Sequence, residues 1–267
     1  MEQPKNNFKL VSDKKNARMH LPNMLTLIGV CIGLTSIRFA LSGEFHLAII
    51  AIIFAALIDG LDGRVARLIK GTSKVGKELD SLTDMISFGV APAFIMYFWK
   101  LNSFGRFGWL LCLVYVICVA LRLARFNISS NQEPSWKDNF FEGVPSPAGG
   151  ILVLTPLIIS LSGFDFLKIN YDIIVPIFFI ATSFLLISKF PTYSFKKIVI
   201  QRKATIFLLF AIVLFFGLLL IYTFNVIALS SIIYLSLIPI SFFHYQKMKK
   251  IHENDKIQDE DDLEDVL

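Results

Sequence analysis

The sequence predicts an all-α integral membrane protein with about eight transmembrane helices, and three observations carry that prediction. The 267-residue chain is 55% hydrophobic and only 18% charged, with a mean hydropathy of +0.63. A soluble domain has too little interior to hide so much apolar surface, and an average one carries roughly 25% charge. Eight apolar windows approach the roughly 20 residues that a helix needs to cross about 30 Å of hydrocarbon. Lys and Arg gather on alternate connections, as the positive-inside rule requires. Disordered, collagenous and nucleic-acid-arm classes are excluded by the same composition. Cys31, Cys112 and Cys118 lie inside apolar runs without paired spacing or a neighbouring His. They are expected to be small packing residues rather than disulfide partners or zinc ligands.

The eight windows run approximately from Met24 to Leu41, His46 to Leu61, Leu82 to Trp99, Phe107 to Leu123, Ala148 to Leu161, Ile173 to Ser188, Ala204 to Tyr222 and Val226 to His244. The stretch before Met24 is polar and basic and the first window has the length of a true span, so a cleavable signal peptide is not expected. With eight spans, one side of the membrane receives the basic residues of the N-terminal segment, of the connections near Arg64 to Lys77, Arg122 to Lys137 and Lys189 to Lys203, and of Lys247 to Lys256. The other side has Arg38, Lys100, Arg106 and Lys168, a division of 22 to 4 among the 26 Lys and Arg. Both termini are therefore expected in the cytoplasm, in a multi-pass protein of the cell membrane. The net charge of +5 reads as topology and attraction to anionic lipid rather than nucleic-acid binding. Residues 1–20 read as a basic cytoplasmic segment, 21–190 as the main membrane domain, 191–246 as two C-terminal transmembrane helices and 247–267 as an acidic disordered cytoplasmic tail. No internal repeat is evident, which speaks against an inverted-repeat transporter.

The informative stretch is DGLDGRVARLIKGTSKVGKELDSLTD, from Asp59 to Asp84. A charge near bilayer depth costs several kcal/mol, on estimates from about 2.5 upward, so such residues pair, bind something or line a wet cavity. Asp59, Asp62, Gly63, Ala66 and Arg67 stand at i, i+3, i+4, i+7 and i+8, one stripe of a helix continuing out of the second span. Gly76, Asp80 and Asp84 stand at i, i+4 and i+8, one stripe leading into the third. Between them KGTSK reads as a polar turn short enough to bring the stripes face to face. Any single Asp here reads equally well as a helix cap or as an ion-pair partner of Arg64 or Lys77. The whole set at this spacing does not. Four converging carboxylates repel unless cations neutralise them, and two divalent ions would cancel the charge. Oxygen-only donors suit hard cations, Mg²⁺ first and Mn²⁺ second. Gly63 and Ala66 strip bulk from the acidic face so that an extended ligand can approach the backbone, and Arg67 is a natural phosphate partner. Gly63 and Gly76 also fit close helix packing.

Asp59, Asp62, Gly63, Ala66, Arg67, an eight-residue spacer, Gly76, Asp80 and Asp84 resemble the full signature of the CDP-alcohol phosphatidyltransferases, D-x2-D-G-x2-A-R-x8-G-x3-D-x3-D. PNMLTLIG, from Pro22 to Gly29, is similar to the start of that family's first helix, and the resemblance covers about the first 190 residues. It implies a six-helix catalytic core within residues 21–190, here with two further C-terminal helices, and a homodimer. It implies that Asp59, Asp62 and Asp80 hold the metals gripping the diphosphate of a CDP-linked lipid, with Asp84 a ligand of the second metal and the general base. Gly63, Ala66, Arg67 and Gly76 would line the cytidine and phosphate pocket, with Asn23 and Thr26 near the same phosphates.

Two further stretches are unusual for membrane helices. LRLARFN, from Leu121 to Asn127, and EGVPSPAGG, from Glu142 to Gly150, both fall on the side of the acidic cluster. Their plain reading is topology charge and a helix start. Their functional reading is an acceptor pocket in which Arg122 or Arg125 takes a carboxylate and Ser146 or Asn127 an amine or hydroxyl. LARFN followed by GVPSPA resembles the bacterial and archaeal phosphatidylserine synthases within the family, as does the later KFPTYSFKK from Lys189 to Lys197. GVPSPAGG has glycines where small alanines are more usual after PSPA. The resemblance implies L-serine as acceptor, giving phosphatidylserine and CMP from CDP-diacylglycerol. The rival acceptors are glycerol 3-phosphate, choline and an inositol phosphate. The rival from another class is a divalent-cation transporter, which should carry ionisable residues along a path, yet the later spans hold almost none.

Overall fold

The computed structural model describes residues 14–69, 74–129, 140–163, 170–193 and 202–264. They form α1 (Lys14–Leu41), α2 (Phe45–Leu68), α3 (Lys74–Asp84), a π-turn (Met85–Val90), α4 (Ala91–Trp99), a 3₁₀ turn (Leu101–Phe104), α5 (Arg106–Ser129), β1 (Phe140–Glu142), α6 (Ser146–Leu161), α7 (Tyr171–Ile187), β2 (Pro191–Tyr193), α8 (Arg202–Ile221) and α9 (Thr223–Glu264). The protein is an all-α integral membrane protein. Among the described residues, five segments are long and apolar enough to cross a bilayer: Pro22–Leu41, Phe45–Leu68, Val75–Trp99, Arg106–Ile128 and Thr223–Lys249. Ser146–Leu161, Tyr171–Ile187 and Thr205–Ile221 are shorter apolar helices. These eight segments coincide with the eight expected windows. The chain divides into two compact units, Met1–Trp99 and Lys100–Leu267.

In the first unit α1 and α2 form a hairpin. Gly43, at φ 79°, takes the left-handed conformation that ends α1. The Glu44 amide then donates to the Phe39 carbonyl at 2.9 Å and the Gly43 amide to Ala40 at 3.0 Å, satisfying carbonyls that the helix end would orphan. Ala48, Ile49, Ile52 and Ala55 on α2 are buried, and α1 also packs on α3, the π-turn and α4. Within the third expected span, Met85–Val90 widens into a π-turn, with the Ala91 amide donating to Ile86 five residues back. Pro92 explains the wider turn: it has no amide to donate, and its ring crowds the carbonyl four residues earlier. The expected KGTSK turn falls largely on residues 70–73, outside the described residues.

In the second unit the 3₁₀ turn leads into α5. There Gly108 lies so close to Leu101 that an added Cβ would overlap the Leu101 carbonyl oxygen. α5 packs on α7, where the buried rings of Tyr115 and Phe179 meet edge to face at 5.6 Å. α6 packs on α7 and α9. A short antiparallel ribbon, not expected from the sequence, pairs Phe140 with Tyr193 and Glu142 with Pro191.

At the N-terminal end α1 begins at Lys14, within the basic segment that precedes the first span. Residues 247–267 were expected to be a disordered tail, but α9 continues through Glu264. No Gly or Pro follows Pro239 to stop it.

Candidate active site

The acidic site is built by three helices of the first unit. Asp59 and Asp62 lie one turn apart near the end of α2, and Asp80 and Asp84 lie one turn apart at the end of α3. α1 packs against both helices. Each of Asp59, Asp62 and Asp80 offers one carboxylate oxygen such that all three lie within 4.8 Å of one another. Asp62 is buried, at 4% exposure, while Asp59, Asp80 and Asp84 are half-buried. The carboxyl of Asp84 comes within hydrogen-bonding reach of Asp59. Three oxygen donors at this separation, with no sulfur or imidazole among them, fit a hard divalent cation. The cluster can therefore hold a metal ion.

The walls of the site follow from the same helices. An added Cβ on Gly60 or Gly63 would meet nothing within 4 Å, so the α2 face beside the carboxylates is open down to the backbone. Arg67 is exposed, and its Nε donates back to the Gly63 carbonyl at 3.1 Å, which lays the guanidinium along that bare face. Ala66 and Gly76 are half-buried on α2 and α3. Asn23 is half-buried on α1.

Thr26 stands beside one of the acids. It is 4% exposed, and its hydroxyl donates to Asp62 Oδ2 at 2.7 Å, with the Pro22 carbonyl as the alternative acceptor at 3.0 Å. Sequence reasoning also missed the seam that joins α1 to the acid-bearing helix. Thr83 Oγ1 donates to Leu79 at 2.9 Å and approaches the Thr26 carbonyl at 3.5 Å, and Ser87 Oγ donates to the Gly29 carbonyl at 3.3 Å. Gly29 and Gly33 leave room for these contacts: a Cβ on Gly33 would stand 2.6 Å from Ser87 Oγ. The signal was present, since Gly29 and Gly33 on one helix and Thr83 and Ser87 on the other each stand four residues apart.

The expected acceptor residues lie in the second unit. LRLARFN is helical, the last turns of α5. Arg122 donates to the hydroxyl of the fully buried Ser146, the first residue of α6, and its guanidinium lies over the Phe126 ring at 5.8 Å. Arg125 instead donates to the Ile187 carbonyl and so caps the C-terminal end of α7. Asn127, two residues further along α5, is half-buried. Gly143, at φ 75°, turns the EGVPSPAGG segment. Its amide donates to Phe190 at 2.9 Å and its carbonyl accepts from Thr192 at 2.8 Å, which ties the segment to KFPTYS.

Comparison with known proteins agrees with this geometry. The family model described as CDP-alcohol phosphatidyltransferase matches residues 19–185. A Helicobacter pylori protein named CDP-diacylglycerol--serine O-phosphatidyltransferase is 39% identical over 195 residues, covering 73% of this chain and 81% of the relative. A Mycobacterium leprae protein of the same name is 46% identical over 143 residues, 53% of this chain and 47% of the relative. A Bacillus subtilis protein of that name is 32% identical over 179 residues, 67% of this chain and 92% of the relative. The chain thus spans about half the length of the mycobacterial relatives it matches and most of the length of the other two. With the complete signature on α2 and α3 and three of its four carboxylates converging, the chain belongs to the CDP-alcohol phosphatidyltransferase family.

Proposed function

We propose that the chain is a CDP-diacylglycerol--serine O-phosphatidyltransferase, moving the phosphatidyl group from CDP-diacylglycerol to the hydroxyl of L-serine to give phosphatidylserine and CMP. The observation that carries this reading is the convergence of Asp59, Asp62 and Asp80 to within 4.8 Å in a chain whose relatives across several species bear that name. Asp59, Asp62, Asp80 and Asp84 would hold two divalent ions, Mg²⁺ or Mn²⁺. Bound there, the ions would neutralise the cluster and the diphosphate and make the phosphorus more electrophilic.

The chain's own residues do the rest. The open face at Gly63, with Ala66, Gly76 and Asn23, accommodates the cytidine diphosphate moiety, and Arg67 supplies a guanidinium for phosphate. Asp84 accepts the proton of the serine hydroxyl, whose pKa lies far above 7. The serine oxygen forms the new bond to the phosphorus that carries the diacylglycerol, the bridging P–O bond breaks, and its electron pair leaves with CMP. No side-chain nucleophile is needed. Arg122, Arg125, Asn127 and Ser146 are proposed to select the acceptor. A guanidinium among them suits the carboxylate of serine, which it can grip through two parallel hydrogen bonds.

The catalytic part is residues 21–190, and the 22-to-4 division of basic residues supports an active site and both termini on the cytoplasmic side of the cell membrane. The homodimer expected of the family belongs to the same proposal. The test is incorporation of labelled serine into lipid by the purified protein. Label should enter lipid only with CDP-diacylglycerol and a divalent metal together, and incorporation without either would refute the reading.

A further inference from the structure

Asp62 is the most buried of the four acids, and its carboxylate carries a neutral hydroxyl. Thr26 Oγ1 stands 2.7 Å from Asp62 Oδ2. Both residues are 4% exposed. The hydroxyl has one proton and two acceptors in reach, Asp62 Oδ2 and the Pro22 carbonyl at 3.0 Å. The carboxylate is nearer and charged, and charge-assisted hydrogen bonds are roughly twice as strong as neutral ones. Thr is β-branched, so its χ1 is restricted by its own helix, and the hydroxyl is aimed rather than wandering. The same residue sits in the seam that holds the acid-bearing helix: its carbonyl lies 3.5 Å from Thr83 Oγ1, and Gly29, one turn on, accepts from Ser87.

We propose that Thr26 is a positioning residue for the metal site, fixing one oxygen of Asp62 so that the other faces Asp59 and Asp80, rather than a direct contact to the CDP-lipid phosphates. The inference rests on the metal-dependent reading of the cluster. A carboxylate ligand with one oxygen tied by an outer hydrogen bond has one rotamer to offer, and losing such a partner typically costs 10- to 100-fold in metal affinity. Removing the hydroxyl also takes one donor from a buried carboxylate.

The test is a Mn²⁺ titration of the detergent-purified full chain, reading free Mn²⁺ by electron paramagnetic resonance, with thermal midpoints recorded alongside. Thr26→Val should bind Mn²⁺ about tenfold more weakly than the parent, and Thr26→Ser, which keeps the hydroxyl, should restore affinity to within about twofold. Thr83→Val removes a hydroxyl from the same seam without touching a carboxylate, so it should lower the midpoint and leave Mn²⁺ affinity unchanged. If Thr26→Val fails to fold, Thr26→Ala is read in its place. Undiminished affinity in the variant lacking the hydroxyl overturns the inference and leaves the metal site standing. Equal loss in Thr26→Val and Thr83→Val also overturns it, since that is what a packing role alone would give. A parent protein that binds no Mn²⁺ overturns both the inference and the metal-dependent reading beneath it.

Discussion

Four carboxylates share one small region of the first unit, and their surroundings assign them different work. Asp62 is buried with a hydroxyl on one oxygen, which suits a fixed ligand. Asp59 and Asp80 converge with it from half-buried positions. Asp84 stands one turn further along α3, outside the converging trio but within reach of Asp59. That reach is what would let Asp84 combine a metal ligand's place with the proton-accepting role proposed for it. Asp84→Asn keeps the volume and removes the basic oxygen, so turnover should fall by at least about 100-fold while the protein still inserts and keeps its thermal midpoint. Robust residual turnover would remove Asp84 from the base role. Most of this was legible in the sequence, because i+3 and i+4 spacing fixes which residues share a helix face before any tertiary contact forms. The Thr26 to Asp62 bond was not, because it joins positions 36 residues apart. Nor was the use of Arg125 on the Ile187 carbonyl, which depends on where α7 ends.

At the scale of the element, the hairpin of α1 and α2 and its seam with α3 bring the two acidic stripes together. The close approach is possible because Gly29 and Gly33 face Thr83 and Ser87. In a bilayer, small residues let backbones approach where apolar burial gives no preference for protein over lipid. A Cβ at Gly33 would stand 2.6 Å from Ser87 Oγ and 3.1 Å from Ser87 Cα, so relief requires the π-turn itself to move. Gly33→Ala should therefore destabilise the detergent-solubilised protein by about 1–3 kcal/mol, read as a lower thermal midpoint. An unchanged midpoint would show that the seam is looser than its geometry. The eight apolar windows overlap the five candidate spans and the three shorter apolar helices found among the described residues, but the sequence alone could not show the π-turn, since Pro92 also fits a plain kink. The β1 and β2 ribbon was hidden for a different reason: three residues per strand leave no periodicity to read.

Across the whole molecule, the basic residues divide the connections into two sets, and the acidic signature falls in the Lys- and Arg-rich one. Glu78 and Asn102 are both exposed and lie near opposite ends of the third span. In intact cells a membrane-impermeant maleimide should label Asn102→Cys and spare Glu78→Cys, in a background where Cys31, Cys112 and Cys118 are replaced. Labelling of Glu78→Cys alone would invert the topology and place the site away from the cytoplasmic supply of nucleotide-activated lipid and serine.

One assay tests the reaction and its acceptor together. CMP release should be followed with purified protein, CDP-diacylglycerol and Mg²⁺ or Mn²⁺, offering serine, glycerol 3-phosphate, choline and inositol phosphate separately. Release is expected with serine alone, and none after the metal is chelated. Release with another acceptor would keep the family and contradict the reading of Arg122 and Ser146, while no release with any acceptor and either metal would contradict the enzymatic account as a whole.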